Sequence, residues 1–193
     1  MNPPDALPRS PELMSRHDTG LLVVDVQEKL IRLIPGHERI VFNIRRLLDG
    51  AKILGVPATG TEQYPQGLGP TVAELAGRLG KIPGKVAFSC GECPTALQEW
   101  SERGIRKLLV VGIETHVCIQ QTVLDLIAAG YRVYVAVDAV GARGAIDHDT
   151  GLRRLELAGA TLTTVEAALF EWCERAGSPE FKQISALVKE PLS

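Results

Sequence analysis

The sequence predicts a three-layer α/β/α sandwich built on a six-stranded parallel sheet, a Rossmann-like architecture. Three observations carry that expectation. Apolar runs of strand length alternate with segments of helical periodicity along most of the chain, the pattern of a parallel sheet covered on both faces. Runs such as "GLLVV" and "KLLVVGI" are uninterrupted rather than alternating, so their strands bury both faces. Finally, 193 residues of which 45% are hydrophobic suffice for one sizeable core.

Each element follows in order. The opening stretch "MNPPDALPRSPELMSRHD" holds four prolines and both signs of charge. It lacks the apolar segment of a signal peptide, and Asp5, Glu12 and Asp18 argue against a transit peptide. Residues 1–17 therefore read as an extended arm suited to packing on a neighbouring subunit, ahead of a single domain at 18–193. Strands are expected over 20–26, 56–62, 84–89, 106–113, 131–140 and 160–165. Between them, Ile40, Ile44, Leu47 and Leu48 recur at helical spacing in a helix near 37–54. Further helices are expected in "PTVAELAGRL", in "PTALQEWSERG", over 117–129 and near 147–158, with two closing helices near 166–175 and 179–189. No repeat or linker divides the chain.

Composition narrows the function. The formal charge, 21 − 23 = −2, offers no basic footprint for nucleic acid. No stretch is apolar enough to span a membrane. Four cysteines without a secretory signal suit free thiols in a reducing cytoplasm rather than a disulfide scaffold. A small molecule is the expected partner, with no cofactor. In doubly wound sheets such ligands bind beyond the carboxyl ends of the strands, where strand order reverses.

Candidate chemistry sits at those ends. Asp25, inside "LLVVDVQ", is a carboxylate in an apolar run and needs a partner. Lys85 opens the run "GKVAFS". Cys118 falls in the first turn of an expected helix, where free N–H groups and the helix dipole favour a thiolate. Taken singly, each has an ordinary reading: a capping aspartate, a solvated lysine, a buried inert cysteine. Together they make a thiol, a base for its proton and a cation to hold the charge, the logic of an activated nucleophile.

The order "VVDVQ", "K.AFS" and "GIETHVCIQQT" resembles the isochorismatase-like cysteine hydrolases. The stretches "TEQYPQGLGPTVAEL" and "SPEFKQISALVK" are similar to the stand-alone isochorismatase-domain proteins, and the resemblance spans roughly residues 18–190. It implies strand order 3-2-1-4-5-6, which puts Asp25 and Cys118 on adjacent strands. Asp25 would deprotonate Cys118, Lys85 would hold Asp25, and Cys118 would attack a carbonyl carbon to form a thioester-like intermediate. The family pattern also implies a cis peptide at Ile113–Glu114, with the N–H groups of Glu114 and Cys118 as an oxyanion hole. Gln27, Glu62, Tyr64, Phe88 and Thr115 are the expected lining of a small polar pocket, and His116 reads as a structural histidine bonded to backbone.

The sequence departs from the family in one respect. Nicotinamidases of this superfamily carry an aspartate–histidine metal site after the second strand, whereas "TGTEQYPQGLG" holds no histidine. No metal is expected, and acyl, amide or carbamoyl chemistry is favoured over pyridine-amide hydrolysis. Two other classes compete. Cys90-x-x-Cys93 ahead of a helix resembles a dithiol redox motif, although Pro94 follows it at once. A zinc set of Cys90, Cys93, His116 and Cys118 would consume the nucleophile. The second class is a non-catalytic interaction protein on the same fold, against which the complete Asp25–Lys85–Cys118 set argues. A homo-oligomer is expected from the arm and the apolar closing helices.

Overall fold

The uninterrupted apolar runs become the central strands. In chain order, the computed structural model, which describes residues 7–192, begins with β1 (Thr19–Val24), α1 (Glu28–Ile31) and α2 (His37–Leu54). β2 (Ala58–Gln63) leads to α3 (Pro65–Leu68) and α4 (Ala73–Leu79), and β3 (Gly84–Lys85) to α5 (Pro94–Glu102). β4 (Lys107–Ile113) precedes α6 (Gln120–Ala128), and β5 (Arg132–Gly141) precedes α7 (Ala145–Leu157). β6 (Thr161–Thr163), α8 (Val165–Cys173) and α9 (Phe181–Val188) close the chain. The strands pair in parallel in the order β3-β2-β1-β4-β5-β6. Every residue of β1 and β4 is buried, as their lack of alternation requires.

Side chains alternate across the sheet and build two cores. Leu21 and Val23 of β1 face α2, α8 and α9, packing with Ile44, Leu47, Trp172 and Ile184. Leu22 and Val24 face the other way, against Trp100 of α5 and Ile119 and Val123 beside β4. Strand order reverses between β1 and β4, and there the two chains come unusually close. A Cβ on Gly112 would lie 2.1 Å from the Val24 carbonyl oxygen, and its φ is +117°, so no other residue fits. Beyond this point the register of β4 on β5 jumps from Val110↔Val135 to Gly112↔Val140, an irregularity that frees the strand end to turn.

Three expectations need correction. The third strand does not run over 84–89 but stops at Lys85, and Val86 and Phe88 are 73% and 51% exposed. The reason is a competing carboxylate: Glu92 Oε2 accepts from the N–H groups of Val86 and Ala87, at 2.6 and 2.8 Å, removing the donors a ladder would use. The arm, secondly, does not wait for a neighbour. Met14 is fully buried in the main core, Arg9 donates to the Met14 and Glu171 carbonyls, and Lys107 Nζ donates to Leu13 O at 2.7 Å. Residues 1–6 of that arm lie outside the described residues. The helix expected over 117–129, thirdly, starts at Gln120 and is preceded by a wide π turn, Thr115–Ile119.

Candidate active site

Asp25 follows β1 directly and turns sharply, with φ +54°. Its N–H donates to Thr61 O at 3.1 Å, and its own carbonyl accepts from Gln27 N at 2.8 Å. The carboxylate is fully buried and doubly held: Lys85 Nζ donates to Oδ2 at 2.7 Å and Thr61 Oγ1 donates to Oδ1 at 2.8 Å. The Lys85 ammonium, equally buried, also faces Gln63 Oε1 at 2.7 Å and the carbonyls of Phe88 and Ala87 at 2.9 and 3.2 Å. Four acceptors thus surround three protons, so the ammonium is fully solvated by protein. This is what a buried charge pair needs in order to persist away from water.

Cys118 arrives from the other side of the strand-order reversal. Glu114 O accepts from Val117 N at 3.1 Å and from Ile119 N at 3.2 Å. The second bond spans five residues and widens the first turn, placing Cys118 inside a π turn, a feature frequent at functional sites. The peptide Ile113–Glu114 is cis. The Glu114 side chain is buried and accepts from the backbone N–H and the Nε of Arg143, both at 3.0 Å. Burial opposes the charge on this carboxyl, but the Arg143 side chain, its backbone N–H and its charge outweigh that and hold the carboxyl below its usual range.

Cys118 is buried, 4% exposed, in the field of the Asp25–Lys85 pair. Burial pushes it well above the ordinary thiol range, the Asp25 charge adds to the rise, and Lys85 pulls the other way without prevailing. The expectation of a preformed thiolate is thereby reversed. At rest the sulfur is neutral, with a carboxylate beside it that can take its proton as a bond forms.

The remaining sequence candidates divide. Gln27 is fully buried and spends its amide on backbone: Nε2 donates to Gly69 O and Gln63 O at 2.7 and 3.0 Å, and Oε1 accepts from Gln63 N at 2.7 Å. Glu62 Oε1 accepts from the N–H and hydroxyl of Thr71, at 2.7 and 2.8 Å. Thr115 is fully buried and its hydroxyl meets His148 Nδ1 at 2.9 Å. These three therefore build the walls' scaffold instead of presenting free groups to a pocket. Tyr64 and Phe88 are 55% and 51% exposed. Tyr64 borders a cleft of about 370 Å³ together with Lys85, Val86 and Glu92. His116 differs from its expected backbone bond, since its Nδ1 is buried with no partner.

Sequence reading missed Thr61, Gln63, Thr122, Arg143 and His148. Thr61 and Gln63 carried one signal: polar residues at alternate positions of the second strand, pointing where apolar ones were due. Arg143 and His148 lie about thirty residues beyond their partners, Glu114 and Thr115, in a later loop and helix.

The two thiols of the Cys90-x-x-Cys93 motif are not bonded to each other in this structure. Cys90 and Cys93 are free, Cys90 is 1% exposed, and burial pushes its thiol up to about 11. Burial raises Cys93 as well, the opposite of the lowered value that arms a dithiol. Among the described residues no three of His, Cys, Asp and Glu are grouped to hold a metal, so the four-residue zinc set is not assembled. Nor is any described helix long and apolar enough to cross a membrane.

With this geometry in place, comparison with known proteins is decisive for the family. The isochorismatase domain family matches residues 19–167. The chain belongs to the isochorismatase family. Isochorismatase domain-containing protein 2 of Bos taurus is 43% identical over 172 residues, covering 89% of this chain and 83% of the relative. A Caenorhabditis elegans structure described as MAR1 ribonuclease superposes with a TM-score of 0.87 at 37% identity, covering 94% of each chain. The Escherichia coli YcaC product, described as an octameric hydrolase of unknown specificity, has a TM-score of 0.80 at 24% identity, covering 94% of this chain and 89% of its own. The isochorismatase-like fold and a hydrolase role in general follow from membership.

Proposed function

We propose that this isochorismatase-family chain is a cysteine hydrolase of small amide, carbamoyl or related acyl compounds, acting on C–N bonds other than peptide bonds. The observation that carries the reading is the convergence of a neutral thiol, a carboxylate and an ammonium, all buried, at the strand-order reversal. Cys118 Sγ attacks the carbonyl carbon while Asp25 takes the thiol proton. The carbonyl oxygen gains negative charge, which the N–H groups of Glu114 and Cys118 are positioned in sequence to receive. Asp25 then passes the proton to the leaving amine, and the C–N bond breaks to leave a thioester. Water attacks the thioester with Asp25 again as base, releasing the acid and restoring the thiol. Lys85 holds the Asp25 carboxyl group in place throughout. Tyr64 and Phe88 flank the approach, and the tight burial of Cys118 favours a small substrate.

A panel of small amides, ureido acids and an activated ester such as p-nitrophenyl acetate, with wild type beside Cys118→Ala, tests this directly. Turnover that survives Cys118→Ala sinks the thiol as nucleophile, and activity should persist after exhaustive chelation. A second substrate class comes from the C. elegans relative described as a ribonuclease. The net charge of −2 speaks against it, and release of acid-soluble nucleotides from RNA by purified protein would speak for it. Inactivity on both classes would leave an interaction protein on this fold. A homo-oligomer in the cytoplasm fits the free thiols, the exposed Tyr64, Val86 and Phe88 beside the site, and the octameric state named for the E. coli relative. Sedimentation showing a single monomeric species at micromolar concentration would refute the assembly.

A further inference from the structure

Behind the Asp25 carboxylate lies a chain of buried polar groups that the proposed reaction does not use. Thr61 Oγ1 is 2.8 Å from Asp25 Oδ1 and 3.4 Å from the sulfur of Cys90. Cys90 N donates to Thr122 Oγ1 at 2.9 Å. Thr61, Cys90 and Thr122 are 3%, 1% and 1% exposed. Thr122 lies four residues after Cys118, one helical turn on and on the same face. The groups form a chain beside the site: Asp25 directly follows β1, β2 carries Thr61, the turn after β3 carries Cys90, and the Cys118 helix carries Thr122.

Proton counting gives the chain a direction. An ionised carboxylate only accepts, so the single Thr61 proton must point at Asp25 Oδ1. The Thr61 oxygen can then only accept from Cys90, whose thiol is protonated because burial pushes it up to about 11. Each Asp25 oxygen is thus fixed by a donor from a different strand, Lys85 on one and Thr61 on the other. Lys85 alone would leave the carboxylate free to pivot about its Oδ2 contact.

We infer that Thr61 is a positioning residue of the hydrolytic site, orienting the Asp25 carboxylate toward Cys118, with the Cys90 thiol behind it fixing the direction of the Thr61 hydroxyl. The inference rests on the cysteine-hydrolase reading. A Thr61 methyl group at the same place would fill the space yet donate nothing, so proton transfer from Cys118 would slow while the entrance to the site stayed as it is. The loss should fall on the acylation rate constant and leave apparent substrate affinity close to wild type. Its size should be about ten- to a hundredfold, the range of one hydrogen bond to a charged group.

The test is acetylation of the whole protein by p-nitrophenyl acetate, followed by intact mass and by p-nitrophenolate release. In that step the Cys118 S–C(acetyl) bond forms, the ester C–O bond breaks, and the thiol proton passes to Asp25. Thr61→Val should lose about ten- to a hundredfold in acylation rate, and Thr61→Ser, which keeps the hydroxyl, should recover most of it. Cys90→Ala, with the acceptor side of Thr61 left open, should lose a few-fold and serves as the readout if Thr61→Val does not fold. Wild-type rates in Thr61→Val, equal losses in Val and Ser variants, or no change in Cys90→Ala would overturn the inference while the hydrolase reading stands. Absence of acetyl-Cys118 in wild type, with the ester consumed by no other route, would overturn both.

Discussion

Cys118 and Cys90 are both buried thiols next to the Asp25 carboxylate, yet the structure treats them differently. Both are raised by burial first and by the Asp25 charge second, with Lys85 opposing. Cys118 sits in a π turn whose N–H bonds run back to the Glu114 carbonyl, and its sulfur lies in the field of the Asp25–Lys85 pair. Cys90 sits one residue removed, with Thr61 between it and Asp25 and with Thr122 holding its backbone. Burial and charge therefore do not distinguish the two thiols. What distinguishes them, on the proposed mechanism, is the Thr61 hydroxyl that stands between Cys90 and the Asp25 carboxylate.

The largest expected effect separates the two at once. Cys118→Ala should reduce acyl transfer to the solution background, about a thousandfold or more, because the bond-forming atom is gone. Cys90→Ala should lose only a few-fold. If the two variants lose equal amounts, the distinction between them collapses.

The second test removes the cation common to both thiols. Lys85→Met leaves Asp25 buried with Thr61 as its remaining donor, and breaking such a buried pair costs about 3–5 kcal/mol. A denaturation midpoint indistinguishable from wild type would show that water reaches Asp25, contrary to its zero exposure.

Thiol labelling sharpens the comparison next. Both groups are held above their ordinary range, so each stays protonated near neutral pH and becomes thiolate only as pH climbs through the raised value. Iodoacetamide at pH 7 should therefore modify half-buried Cys93 first, and Cys118 more slowly than a free cysteine. The Cys90 rate should still be rising at pH 10, since its thiol titrates near about 11. Labelling of Cys118 faster than free cysteine at pH 7 would restore the resting thiolate.

The smallest effect concerns the anchor of the Cys118 corner. Because Glu114 is held below the ordinary carboxylate range in the folded chain, its contribution to stability is complete above that range. It is then lost as pH falls through the lowered folded value. Arg143 is 60% exposed at its side chain, so solvent screening limits the pair to about 1 kcal/mol or less. Arg143→Ala should lower stability by that amount at pH 7 and by nothing once the carboxyl is protonated. Urea titrations at the two pH values check both parts.

How far the chain could be read ahead of its structure differs between elements. β1 and β4 were legible because six and seven consecutive residues bury both faces, which leaves an unbroken apolar run. β3 was not, because its fate depends on Glu92 reaching back to the Val86 and Ala87 N–H groups. Met14 gave no warning either. A single apolar residue among prolines reads as arm until the pocket under α8 is there to receive it.

The sequence by itself determined the alternation of elements, and its motifs named Asp25, Lys85 and Cys118, since apolar periodicity and residue type are local properties. Tertiary structure alone decided which polar groups those residues meet. Thr61, Gln63 and Thr122 reach the site from other strands and helices, and Gln27, Glu62 and Thr115 turn out to be tied to backbone, to Thr71 and to His148. It also decided the protonation of Cys118. A helix start suggests a thiolate, but desolvation depends on everything packed around the sulfur, and that is not written in any one stretch of chain.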